Sequence, residues 1–162
     1  MVVESPAGAT VKFKYDPDNK IFVVSRFLVY GLRYPFHWGF IPRTLEPDGD
    51  PLDVMLLCRE PAFPGIVFEC RPLGIIHLEE KKKKSDGRER NDRVIAIPLS
   101  NERTTLKRPG DLSARQKEEL EQFFLSAVFF EEKEAKIKGW SGPNEAEERI
   151  KESARAYSKK SK

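Results

Sequence analysis

The chain is poor in the side chains that build soft-metal sites. His37 and His77 are its only histidines and Cys58 and Cys70 its only cysteines, with no CxxC pair, a pattern that argues against a zinc centre. The cysteines lie in apolar surroundings, as expected of free thiols in a reducing compartment. No apolar run approaches the ~20 residues needed to span a bilayer. Met1–Pro6 lacks the basic-then-apolar order of a secretory signal. A cytoplasmic protein with no membrane partner is the expectation. Neither a P-loop nor a dinucleotide fingerprint is present. An excess of one charge is also missing. Against 29 Lys and Arg stand 26 Asp and Glu, and a net charge of +3 makes nucleic acid an unlikely partner.

What is present suffices for one core. With 162 residues, 39% hydrophobic and 10% aromatic, residues 1–162 are expected to form a single domain. Val11–Tyr15 and Ile21–Arg26 flank the turn formers Asp16-Pro17-Asp18-Asn19 and predict a β-hairpin. Val54–Cys58, Val67–Arg71, Gly74–Leu78 and Val94–Ile97 read as further short strands, punctuated by Pro and Gly, a spacing that favours a barrel or a sandwich. Ser113 with Gln116 is a capping box, followed by Leu120, Phe123, Phe124, Ala127 and Val128 at helical spacing. Asn144 with Glu147 opens a second helix with Ala146, Ile150, Ala154 and Tyr157 on one stripe, and 158–162 reads as a frayed basic tail. Glu79–Asp92, with Lys81–Lys84, reads as a solvated charged loop. The class is α+β, mainly β with helices.

One segment carries chemistry. In Asp48-Gly49-Asp50-Pro51-Leu52-Asp53, three carboxylates crowd within six residues and repel one another unless cations or water intervene. Gly49 permits unusual backbone and Pro51 fixes the next φ. Such an oxygen-rich, stiff turn suits a hard divalent cation, although Asp, Gly and Pro are also ordinary turn formers. It is no EF-hand loop: counted from Asp48, the sixth and twelfth positions are Asp53 and Arg59 rather than Gly and Glu.

At this turn the chain resembles the family I inorganic pyrophosphatases. Asp48–Asp53 fits their D-[SGDN]-D-[PE]-[LIVMF]-D signature at every position. Tyr34-Pro35-x-x-Trp38-Gly39-Phe40-Ile41-Pro42-Arg43-Thr44-Leu45, Glu4-Ser5-Pro6-Ala7-Gly8, Arg71-Pro72-Leu73-Gly74 and Arg93-Val94-Ile95-Ala96-Ile97-Pro98 resemble other family motifs, in the family's order. Phe123-Phe124 and Gly139-Trp140 match its C-terminal region. The resemblance implies a small five-stranded OB-like β-barrel flanked by two C-terminal helices, a homo-oligomer (a hexamer), and Mg²⁺-dependent hydrolysis of pyrophosphate to two phosphates. It implies Asp48, Asp53, Asp86 and Asn91 as metal ligands and Asp50, Glu4 and Tyr34 as catalytic residues. Lys12, Arg26, Tyr34 and Arg93 are implied as phosphate contacts.

The chain departs from the pattern at named positions. Asn91 stands where the second acidic ligand belongs, with Asp92 beside it, and Arg93 replaces a lysine. Lys14 replaces a glutamate and Trp38 a tyrosine. Ala127-Val128 replaces a Tyr-Lys pair, with Lys133, Lys136 and Lys138 as candidate substitutes, and Arg33 and His37 flank the Tyr34–Trp38 motif. The alternative reading is a divergent paralogue that binds or cleaves another phosphorylated ligand.

Overall fold

The computed structural model describes residues 1–82, 87–99, 104–131 and 133–160. The hairpin forms where turn chemistry predicts it. Strand β2 (Val11–Asp16) pairs antiparallel with β3 (Ile21–Phe27), and Asp16 Oδ1 accepts from the backbone N–H of Asp18 at 2.9 Å. A register shift after the Lys12–Arg26 pair sets these two basic residues side by side.

The remaining strands make one seven-stranded sheet. Its path runs β1 (Val2–Ser5), β4 (His37–Phe40), β5 (Asp53–Leu56), β8 (Arg93–Pro98), β6 (Cys70–Lys81) and β7 (Arg88–Arg90), with β9 (Lys136–Ser141) also paired to β6. β5 and β8 are parallel, so Asp53 and Arg93 start neighbouring strands at the same level. The α+β class stands, but the sheet does not close as a continuous barrel. Its return to β1 is limited to an isolated Val2–Val67 bridge and bonds such as Gly65 N–H to Val3 O at 2.9 Å.

Several sequence expectations need correction. Val67–Arg71 and Gly74–Leu78 do not form separate strands. Residues 70–81 are one strand, β6, whose register shifts between Pro72 and Gly74, where proline has no N–H for the ladder. Glu79–Asp92 is not a plain loop, because β6 continues to Lys81 and β7 pairs back against it, their connection lying outside the described residues. The second helix runs to Lys160, so 158–160 is not frayed, and residues 161–162 lie outside the description.

Both faces of the sheet are buried. Along β8, Val94 and Ala96 point to one core while Ile95 and Ile97 point to the other, which is why this strand is continuously apolar. Helix α1 (Ala114–Ala127), opened by the Ser113–Gln116 capping box, covers one face with Leu120, Phe123 and Phe124. Helix α2 (Pro143–Lys160) covers the other with Ala146 and Ile150. Its buried stripe continues through Ser153 rather than Tyr157, which is 39% exposed. His77, on β6, reaches β9 and the residue before β8: its Nε2 lies 2.8 Å from Ser141 Oγ and its Nδ1 3.4 Å from Asp92 Oδ2.

The closest approach in the sheet is at Gly39. A Cβ there would lie 1.9 Å from Val2 O, a backbone atom that cannot step aside. Gly39→Ala is therefore expected to cost at least about 2 kcal/mol in urea unfolding, as strand β1 must move. Gly142→Ala, with nothing within 4 Å of the new carbon, should stay within about 0.5 kcal/mol of the parent.

Candidate active site

The acidic turn is braced before any ligand is considered. Gly49 takes φ +91°, and its N–H donates to Glu46 O at 3.0 Å, while Glu46 N–H donates to Asp50 O at 2.8 Å. Thr44 Oγ1 accepts from Leu52 N–H at 2.9 Å. Asp48 Oδ1 accepts from Asp50 N–H at 3.0 Å, an Asx-type bond within the turn. From α2, Arg149 ion-pairs with the Glu46 carboxylate and Ser153 Oγ donates to it. Leu45 N–H reaches Ser153 O at 3.0 Å. Glu46, Arg149 and Ser153 thus fix the turn against the helix. Their separation of more than a hundred residues in the chain hid this role from local pattern reading.

Asp53 leaves the turn as the first residue of β5, and Arg93 Nη1 lies 2.6 Å from its Oδ2. The same guanidinium reaches Glu80 Oε1 at 3.6 Å, donates to Asn91 Oδ1 and sits 5.4 Å from the centre of the Trp38 ring. Asn91 also hydrogen-bonds Glu80. Lys133 Nζ binds Glu80 Oε2 at 2.9 Å. A cavity beside this cluster is lined by Lys12, Arg26, Tyr34, Trp38, Glu80, Arg93 and Lys133, with Leu78, Phe123, Phe124, Ala127 and Val128 as its apolar wall. Trp38 Nε1 is buried with no partner among the described residues, a donor available to whatever enters.

Glu80 is an acidic group at the cavity that the resemblance did not imply. Asp86, which it did imply, lies outside the described residues. Counting forward along β6 from Gly74 reaches Ile76, Leu78 and Glu80 on one face by the two-residue period of a strand. Asp92 does not serve the cavity. Its side chain is turned the other way, bound to Arg90, His77 and the Leu78 N–H, so no bulge carries it across. Of the three candidate substitute lysines, Lys133 lines the cavity, together with Ala127 and Val128. Lys138 points elsewhere, to Glu79 at 3.8 Å, and Lys136 lies at the exposed start of β9. Neither Arg33 nor His37 lines the cavity: Arg33 donates to Gly8 O at 3.1 Å, and His37 is buried, accepting from Ala7 N–H at 3.0 Å.

The electrostatics follow from burial and proximity. Burial raises the Asp53 carboxyl, and Asp48 and Asp50 add repulsion that Arg93 and Lys12 oppose. Burial would raise Glu80 as well, but Arg93 and Lys133 hold it below its ordinary value. Desolvation lowers the Lys12 ammonium despite attraction from Asp53. Burial lifts the Tyr34 phenol well above its usual range, keeping it a proton donor at neutral pH. Glu4, whose Oε1 accepts from Tyr15 N–H at 2.9 Å, is raised to about 7 by burial. At the rim, Lys14 Nζ grips both oxygens of Asp50 at 2.8 and 2.9 Å. Arg26 pairs with Glu131.

These donors fit a hard divalent cation. They are oxygen atoms, and Asp53 is a half-buried carboxylate repelled by Asp48 and Asp50. Among the described residues no three carboxylate, imidazole or thiolate side chains converge on one point; Asp53 pairs with Arg93 and Asp50 with Lys14.

A family model described as inorganic pyrophosphatase matches residues 1–158. An inorganic pyrophosphatase of Synechocystis is 36% identical over 141 residues, 86% of this chain and 80% of that protein. One of Saccharolobus solfataricus is 37% identical over 153 residues, 92% and 86% of the two chains. The crystal structure of the Thermus thermophilus inorganic pyrophosphatase superposes with a TM-score of 0.88 at 33% identity, covering 98% of this chain and 90% of that one.

Glu4 gives the site a pH signature. Its folded pKa lies above the ordinary 4.5, so the folded state favours the protonated form, and stability declines as pH rises from about 4.5 through about 7. In metal-free buffer, urea unfolding at pH 5 and pH 8 should show wild type losing on the order of 3 kcal/mol relative to Glu4→Gln. Equal pH dependence in the two proteins would remove the assignment.

Proposed function

The chain belongs to the inorganic pyrophosphatase family, and from this premise we propose how its residues hydrolyse pyrophosphate to two phosphates. The observation that carries the reading is the meeting of an acidic turn and a basic cavity around Arg93. A diphosphate is a polyanion whose charge repels hydroxide, so a catalyst must neutralise it, generate hydroxide near neutral pH and align the attack.

Lys12, Arg26 and Arg93 face one cavity and hold the phosphates, with the Tyr34 hydroxyl and the Trp38 N–H as further donors. Lys133, freed from Glu80, lies where a charged leaving group needs stabilising. Asp48, Asp53, Glu80 and the Asn91 carbonyl oxygen would hold the divalent metal, magnesium in this proposal, with Asp86 as a further ligand outside the described residues. When bound, the metal polarises phosphoryl oxygens and acidifies water. Asp50, on the same turn, accepts the proton of the attacking water as its oxygen bonds to phosphorus and the bond to the bridging oxygen breaks. Glu4, protonated or charged near neutral pH, relays protons beside Asp53.

A paralogue acting on another phosphorylated ligand has no observation of its own in support. Of the lysine run read as solvated surface, Lys81 pairs with Glu134 at 3.5 Å, and Lys83 and Lys84 lie outside the described residues. No helix among the described residues is long and apolar enough to cross a membrane. A single domain over 1–162, a cytoplasmic location and a homo-oligomer, hexameric by resemblance, belong to the same proposal. The exposed Val24, Phe27 and Tyr30 support the last of these.

Purified protein with Mg²⁺ is expected to release phosphate from pyrophosphate, and Asp50→Asn to reduce kcat by roughly 10²–10⁴-fold while remaining folded. An unchanged rate in that variant would remove Asp50 from the mechanism.

A further inference from the structure

Two side chains do in this structure what a cation would do. Lys14 chelates both oxygens of Asp50, and Arg93 Nη1 holds Asp53 Oδ2 at 2.6 Å. Neither contact follows from packing alone. Lys14 is half exposed, at 45%, and its long stem leaves other orientations open in water, yet its ammonium is drawn onto the turn. Attraction from Asp50, Glu4 and Asp53 acts on it together. Arg93 is buried at 7% exposure and divides its guanidinium among Asp53, Glu80 and Asn91. Any divalent ion approaching the turn must displace these cations or accept a site already compensated.

We propose that Lys14 and Arg93 are resident counter-cations, so that the acidic turn binds divalent metal weakly alone and strongly when a diphosphate arrives to take the two cations over. The inference rests on the functional reading above but concerns binding order. A diphosphate brings negative oxygens that a lysine or an arginine pairs with as well as a carboxylate does. Lys14 can swing to such a ligand because its stem is flexible and its head is at the surface. Asp50 and Asp53 are then released at the moment the metal is needed. Lys14 and Arg93 thus set which partner the carboxylates have.

The test is Mn²⁺ binding to the whole, metal-free protein, followed by the electron paramagnetic resonance of free Mn²⁺, with no diphosphate present. Lys14→Met keeps the stem and removes the charge, and its half-exposed position makes it the safer variant than one at buried Arg93. It is expected to tighten Mn²⁺ binding about tenfold. Lys138→Met removes the same charge from a side chain that pairs with Glu79, and should change affinity less than about twofold. With saturating methylenediphosphonate, a non-hydrolysable diphosphate, wild type and Lys14→Met should bind Mn²⁺ alike. Equal affinity of Lys14→Met and wild type without diphosphate would overturn the proposal, as would equal tightening by Lys138→Met. The functional reading fails separately, if wild type with Mg²⁺ releases no phosphate from pyrophosphate.

Discussion

Arg93 is held, almost wholly buried, between Asp53 and Glu80, and much of the surrounding structure keeps that charge compensated. A guanidinium out of water is costly unless its partners are close and hydrogen-bonded. The parallel pairing of β5 and β8 supplies Asp53 at the right level, β6 supplies Glu80, and the residue two places earlier on Arg93's own strand approach supplies the Asn91 oxygen. Lys133, Lys12 and Arg26 would overload the cavity with positive charge if Glu80, Asp53 and Glu131 were not set against them. The result is a balanced site in which attraction is stored between groups that a metal and an anion can each claim.

The fold serves this balance by burying both faces of one sheet. Helix α1 closes the cavity side with Phe123 and Phe124, so the basic groups work against an apolar wall where electrostatic interactions are strong. Helix α2 lies on the opposite face yet reaches the site indirectly, through Arg149 and Ser153 on Glu46 and so through the backbone of the acidic turn. The turn therefore carries a closely braced backbone and ends in Asp53, whose carboxylate meets Arg93 of the cavity.

Much of this was legible in the sequence. The hairpin announced itself by Asp16–Asn19, helix α1 by Ser113 and Gln116, and the site by the spacing of Asp48, Asp50 and Asp53. These are local signals, set by turn chemistry, capping and charge repulsion. What escaped was non-local. The merging of two predicted strands into β6 depends on β8 pairing with it across Pro72, and the open side of the sheet on 65–68 meeting β1 only through an isolated bridge and a few backbone bonds. Glu80 was hidden because a charge-rich stretch looked like solvated loop, when its first residues continue a strand whose alternation aims one carboxylate inward. Lys14 read as a lost glutamate, and only its contact with Asp50 shows what the replacement does.

The account is tested most directly by a crystal structure of the protein with Mg²⁺ and a non-hydrolysable diphosphate. It predicts the phosphates against Lys12, Arg26 and Tyr34, and the metal on Asp48 and Asp53, with Arg93 turned from Asp53 to a phosphate oxygen. A diphosphate bound away from that cavity, or a metal that leaves the Arg93–Asp53 pair intact and ignores the acidic turn, would contradict it.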